Sequence, residues 1–124
     1  MKLLSVLTFF FISTFAFAQS APFPATDPTI KINNGVIYIE WLVTQPVDSC
    51  RVVPIIVPGT TERYITNRTW TNPNRFALFG ESDLKAAAMA LGAGNNSVKY
   101  RFSIQTIYNN LYSTETKTKT IQIR

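Results

Sequence analysis

Residues 36–43 read VIYIEWLV, and the alternation in this stretch decides the fold class. Ile37, Ile39 and Trp41 fall on one face, while Tyr38 and Glu40 fall on the other. That period of two marks a pleated strand with one side buried. Asn33-Asn34-Gly35 precedes the run as a turn signal, and Pro46 follows it as a terminator.

Outward from this strand, the same reading recurs. Residues 50–57 (CRVVPIIV) form a second β-rich run. Pro54 cannot donate to a ladder, which predicts an edge strand or one broken by a bulge. Residues 63–70 (RYITNRTW) predict a third strand. Residues 98–107 (VKYRFSIQTI) alternate with Tyr100, Phe102, Ile104 and Thr106 on one side. Asn109-Asn110 makes a turn, and residues 112–123 form the last strand, with Lys117 and Lys119 placed to discourage edge-to-edge aggregation. One segment departs from the pattern. In residues 81–91 (ESDLKAAAMAL), Leu84, Ala87, Ala88 and Leu91 repeat at helical spacing. Glu81 and Asp83 suit the positive end of the helix dipole, and Gly92 supplies a stop. So short a helix persists only by packing on the sheet.

Residues 1–18 (MKLLSVLTFFFISTFAFA) carry one charge, Lys2, then an apolar run closing on Ala16-Phe17-Ala18. This is the pattern of a cleaved secretory signal, with Gln19 as the new N-terminus. The run is shorter than the roughly 20 apolar residues that a membrane-spanning helix requires. The expected organisation is a signal peptide (1–18), an extended proline-rich leader or short edge segment (19–29) and a β domain (30–124). The mature chain is then secreted or wall-associated, with no membrane insertion. Removing residues 1–18 from the 124 leaves 106, enough for one domain to bury a core without metals or staples. Its charge falls from +5 to +4 with the loss of Lys2. The remaining cations are scattered, whereas a nucleic-acid binder gathers them on one face, so no nucleic-acid partner is expected.

Several short strands with one helix suggest a two-layer β-sandwich. The ends of the domain resemble fibronectin type III and related immunoglobulin-like modules. There, an early strand carries an apolar-x-apolar-x-Trp pattern before a proline, here Ile37, Ile39, Trp41 and Pro46. The penultimate strand carries Tyr-x-apolar-x-apolar-x-small before a turn and a serine, here Tyr100, Phe102, Ile104, Thr106 and Ser113. The match covers about a third of the mature chain. The middle departs from it: a helix occupies the region where the family has a leucine, and Leu111 stands in place of the usual turn glycine. A weaker resemblance is to the immunoglobulin-like domain of secreted fungal cell-wall biogenesis proteins, without their Ser/Thr-rich tails. The fold class expected is therefore mainly β, an immunoglobulin-like (fibronectin type III-like) sandwich with one short helix. Neither family implies a catalytic residue, and the fold itself hosts many functions.

The chain contains no histidine, which removes the common general base, the common zinc ligand and any Ser-His or Cys-His pair. No glycine-rich phosphate loop follows a strand. No cofactor, metal or catalytic residue is assigned. Of the seven acidic residues, Glu40 is the most interesting, beside Trp41, and the alternation reads it as an outward residue. A carboxylate-based hydrolase using Glu40 is the enzymatic alternative. Cys50 is the lone cysteine, so no intrachain disulfide forms. It is a buried small hydrophobe or a thiol that links two chains, and the chain is a monomer unless it does. Asn67-Arg68-Thr69 and Asn95-Asn96-Ser97 are candidate glycan acceptors at Asn67 and Asn95.

What remains is recognition. Trp70, Tyr64, Tyr108 and Tyr112 lie in or beside predicted loops and strand ends, where flat rings stack on sugars or anchor a protein. Trp70, Tyr108 and Tyr112 are the candidate contact residues, and the last two flank the Asn109-Asn110 turn. The expected function is a non-enzymatic extracellular binding or adhesion module for a protein or wall glycan. A secreted inhibitor or effector is the alternative.

Overall fold

The computed structural model describes residues 20–93 and 98–123. The expected signal segment, Gln19 and the Asn95 acceptor lie outside those residues.

Strands β1 (Thr26–Asn33) and β2 (Val36–Leu42) form a hairpin across Asn34 and Gly35. Both turn residues adopt positive φ, 52° and 78°, the left-handed geometry that a two-residue hairpin turn demands. The chain continues through β3 (Ser49–Val57), β4 (Arg63–Tyr64), a 3-10 turn (Thr66–Arg68), β5 (Trp70–Asn72) and β6 (Phe76–Gly80). Helix α1 (Glu81–Ala90), β7 (Lys99–Tyr108), β8 (Leu111–Tyr112), β9 (Thr116–Lys117) and β10 (Ile121–Gln122) complete it. Two antiparallel sheets result. The smaller has the order β1-β2-β6. In the larger, β3 and β7 lie at the centre, β4 and β5 flank β3, and β8, β9 and β10 flank β7.

The core fills the space between the sheets. Ile37, Ile39 and Trp41 of β2 meet Val52 and Ile56 of β3 and Phe102 and Ile104 of β7, all at most 3 % exposed. Phe79 of β6 stacks on Phe102 with ring centroids 5.2 Å apart, joining the sheets. Each such side chain contributes about 1.5–3 kcal/mol by leaving water. Helix α1 buries Leu84, Ala87 and Ala88, the face its spacing predicted. It ends in a left-handed Gly92 (φ 87°), with Gly92 N–H donating to the Met89 carbonyl and Ala93 N–H to that of Ala88. This double bond closure satisfies carbonyls that the helix end leaves free.

Four features differ from the sequence reading. β3 is a central strand despite Pro54. Phe102 turns its backbone toward Thr118, so Pro54 opposite it faces the other way, toward β4 and β5. There the partner strand is interrupted, and the Pro54 carbonyl accepts from Ile65 N–H at 2.8 Å. The missing donor falls in the gap. The third strand is accordingly two short strands separated by the 3-10 turn, because each half pairs with a different part of β3. The last strand is three short pieces, since Ser113 and Thr118 turn inward to bond the β7 backbone through their hydroxyls. Residues 76–80 form a strand the sequence reading passed over.

The proline-rich leader joins the domain earlier than residue 30. β1 begins at Thr26, and Pro22 and Ala25 are buried. The Thr106 hydroxyl donates to the Phe23 carbonyl at 2.7 Å, and the Thr116 hydroxyl to the Ala25 carbonyl at 2.6 Å. Asp27, at φ 51° before Pro28, shifts the β1 register between Thr26 and Thr29. This is a β-bulge that bends the edge strand.

Candidate functional site

The outer faces of the two sheets differ in what covers them. On the larger sheet, Val53, Ile55 and Ile107 point away from the main core yet are at most 8 % exposed. Ile55 lies between its cross-strand neighbours Tyr64 and Arg101. The Tyr64 hydroxyl donates to Glu115 at 2.8 Å, and Glu62 accepts from Arg101 and, at 3.0 Å, from Lys117. These side chains roof the apolar residues beneath, so this face is closed by its own groups.

Among the described residues the smaller sheet has no such roof. Cross-strand partners share a face, so the registers place Asn33, Val36 and Gly80 in one outer row and Lys31, Tyr38 and Leu78 in the next. Thr29, Glu40 and Phe76 form the third row, and Leu42 ends the face. Val36, Leu42, Phe76 and Leu78 are 39–58 % exposed. Tyr38 and Phe76 stack on each other at 5.8 Å, with 23° between planes. The result is one apolar strip along β2 and β6, bordered by polar groups of β1. Large apolar groups side by side on a protein surface make it a candidate contact site.

Glu40 sits within the strip and accepts from the Tyr38 hydroxyl at 3.0 Å. That bond holds the phenol proton in place, pushing the Tyr38 pKa above its ordinary value. Beside Glu40, where the Asp27 bulge displaces β1, a shallow depression of about 330 Å³ is lined by Asp27, Thr29, Glu40, Trp41 and Leu42. The strip thus ends in an acidic corner. No group of three or more metal-ligating side chains occurs among the described residues.

The residues chosen from the sequence fall elsewhere. Trp70 is half-buried, its ring edge-on to Trp41 at 5.8 Å and 85°. It closes the rim of the core, so its ring is not a free platform. Tyr108 and Tyr112 are 41 % and 50 % exposed. Tyr108 pairs with Leu111 and Tyr112 with Ile107, which sets the two rings on opposite faces of the hairpin. They form no shared patch. Tyr64 is committed to Glu115, and Asn67 is exposed on the 3-10 turn. Cys50 is 0 % exposed, and burial pushes its thiol pKa up against smaller opposing effects of the Trp41 indole and the Arg75 charge. A thiol so enclosed is not placed to link two chains.

The sequence reading missed Val36, Leu42, Phe76 and Leu78. The signal was the alternation in Phe76-Ala77-Leu78-Phe79-Gly80, which puts Phe76 and Leu78 opposite the buried Ala77 and Phe79.

No family model matches the chain, and no curated protein matches it. Among solved structures, "Titin kinase and its flanking domains" superposes with a TM-score of 0.57 at 6 % identity, over 86 % of this chain and 18 % of that one. "Myokine structure" superposes with a TM-score of 0.50 at 11 % identity, over 82 % of this chain and 94 % of that one. This chain thus spans less than a fifth of the titin kinase structure. At these identities the likeness speaks for architecture alone. With the three-stranded and larger sheets described above, it gives the chain an immunoglobulin-like, fibronectin type III-like β-sandwich fold, with one short α-helix among the described residues.

Proposed function

We propose that the chain is a secreted, non-enzymatic binding module whose contact surface is the outer face of the β1-β2-β6 sheet. One observation carries this reading: the unroofed strip of Val36, Tyr38, Leu42, Phe76 and Leu78. The composition of the strip favours an extracellular protein over a wall polysaccharide. Sugars stack on ring faces, whereas here three of the five side chains are aliphatic and the two rings lean on each other. Export through the residue 1–18 signal, and a glycan on Asn67 in a eukaryotic secretory pathway, belong to the same proposal.

The test is binding of the labelled, processed chain to the surface of producing cells. Leu42→Asp and Phe76→Asp change exposed side chains, so they leave the fold intact and abolish binding. Protease treatment of the cells removes the binding, while glycosidase treatment leaves it. Binding unchanged by both substitutions, or turnover of a polymer that Glu40→Gln abolishes, would overturn the proposal.

A further inference from the structure

The four free sheet edges are not equally protected. β1 carries the Asp27 bulge, Pro28 and Lys31. β4 and β5 are two and three residues long and split by a turn, and the β8–β10 edge is broken into pieces beside Lys117 and Lys119. Bulges, charges, proline and shortness are the devices that keep edges from pairing. Among the described residues, β6 (FALFG) alone is an edge strand longer than four residues with none of them.

Its backbone is set for pairing. Trp41 N–H donates to the Arg75 carbonyl and Glu81 N–H to the Gly35 carbonyl. Backbone groups alternate sides along a strand, so residues 75, 77, 79 and 81 face β2. The N–H and C=O groups of Phe76 and Leu78 and the N–H of Gly80 therefore point to the free edge, while the Gly80 carbonyl, at the N-cap of α1, accepts the first bond of the helix. The strand is also bracketed by opposite charges at equal distances from its centre, Arg75 before it and Glu81 after it.

We infer that β6 pairs antiparallel with β6 of a second copy of this chain, with the two-fold axis at Leu78. In that register Leu78 faces Leu78 and Phe76 faces Gly80. The Leu78 pair exchanges both N–H···O bonds through its outward backbone groups, and each Gly80 N–H donates to the Phe76 carbonyl of the second copy. Arg75 meets Glu81 of the second copy at both ends, so the contact is self-complementary, as a two-fold interface must be. The two small sheets become one continuous sheet, and the apolar strips of the two copies adjoin. Cys50 takes no part. This inference stands apart from the proposed ligand: a monomer can still bind one, and a dimer can form without one.

The experiment is sedimentation equilibrium of the processed chain purified from medium, with and without reductant, with circular dichroism confirming each variant's fold. A concentration-dependent dimer insensitive to reductant is expected. Leu78→Pro, which removes the central outward donor, leaves a monomer, and Leu78→Lys does the same by charge. Arg75→Glu and Glu81→Arg each weaken association by at least about tenfold, because like charges then oppose at both ends. An equimolar mixture of the two single variants restores it, since every contact is then again opposite in sign. A monomer at millimolar concentration, a dimer indifferent to these substitutions, or failure of the mixture to restore association would overturn the inference.

Discussion

Leu78 and Phe79 are neighbours in β6 and point to opposite sides of the sheet, so truncating each to alanine separates surface from core. Phe79 is 9 % exposed and stacks on Phe102 at 5.2 Å. Deleting a buried ring loses its transfer free energy and leaves a cavity, a loss of about 3–5 kcal/mol. Leu78 is 53 % exposed. About half of the 1.5–3 kcal/mol for burying a leucine is at stake and alanine keeps the β-carbon, so Leu78→Ala costs about 1 kcal/mol or less. In a domain of this size, 1 kcal/mol moves Tm by about 4–8 °C. Phe79→Ala is expected to lower Tm by at least about 12 °C, and Leu78→Ala by less than about 8 °C. Urea unfolding followed by tryptophan fluorescence reads this directly, because Trp41 and Trp70 lie edge to face at the rim of the same core. Binding reverses the order: Leu78→Ala weakens capture of the ligand, whereas Phe79→Ala, where still folded, does not. Equal stability losses, or a larger loss from Leu78→Ala, would refute the facing assigned to β6 and the contact surface with it.

Cys50 in the native protein is expected to resist a thiol reagent at pH 8 and to react fully in urea, since the side chain is 0 % exposed. Burial raises its pKa in the fold, as it does for Tyr100, so the unfolded chain loses protons first as pH rises. The contribution of these two groups to stability is therefore constant below about pH 8.5 and is lost above it, and Cys50→Ala shifts the onset of that loss toward the tyrosine range near pH 10. Asn110 sits at φ 63° in the β7–β8 turn, so Asn110→Val lowers the unfolding free energy from urea titration by about 1–2 kcal/mol while Asn110→Gly costs nothing. Thr106→Val keeps the shape but removes the donor to the Phe23 carbonyl. A loss of about 1–3 kcal/mol and faster proteolysis around residues 20–25 are expected.

The class of fold was legible wherever apolar core residues recur at every second position of a strand. β2 shows this in Ile37, Ile39 and Trp41, and β7 in Tyr100, Phe102, Ile104 and Thr106, all at most 3 % exposed. The helix was legible for the same reason at its own period. Legibility failed where a strand's pairing, not its own pattern, sets its role. Pro54 argued for an edge, yet a break in the neighbouring strand absorbs its missing donor, and that break is invisible in residues 50–57. Strands of two or three residues, such as β4 and β8–β10, are too short to show any period. The prolines of residues 19–29 left an extended leader and a short edge segment both open, because the hydroxyls that hold this stretch belong to Thr106 and Thr116, more than eighty residues away.

The exposed strip was not legible for a related reason. Aromatic residues near loops carry the sequence expectation, but exposure in a sandwich is decided by which sheet face a residue occupies and by what lies over that face. Ile55 and Leu78 are both outward residues of their strands, one 0 % and the other 53 % exposed. The difference comes from Tyr64, Glu62, Arg101 and Lys117, whose cross-sheet bonds roof one face and have no counterpart on the other. Apolar groups left in water contribute little to folding and invite association, so the strip on β2 and β6 is not explained by stability. Its position beside the one edge strand without defences among the described residues points the same way. An outward apolar strip and an open, uncharged strand edge on the same small sheet both fit a surface used for contact.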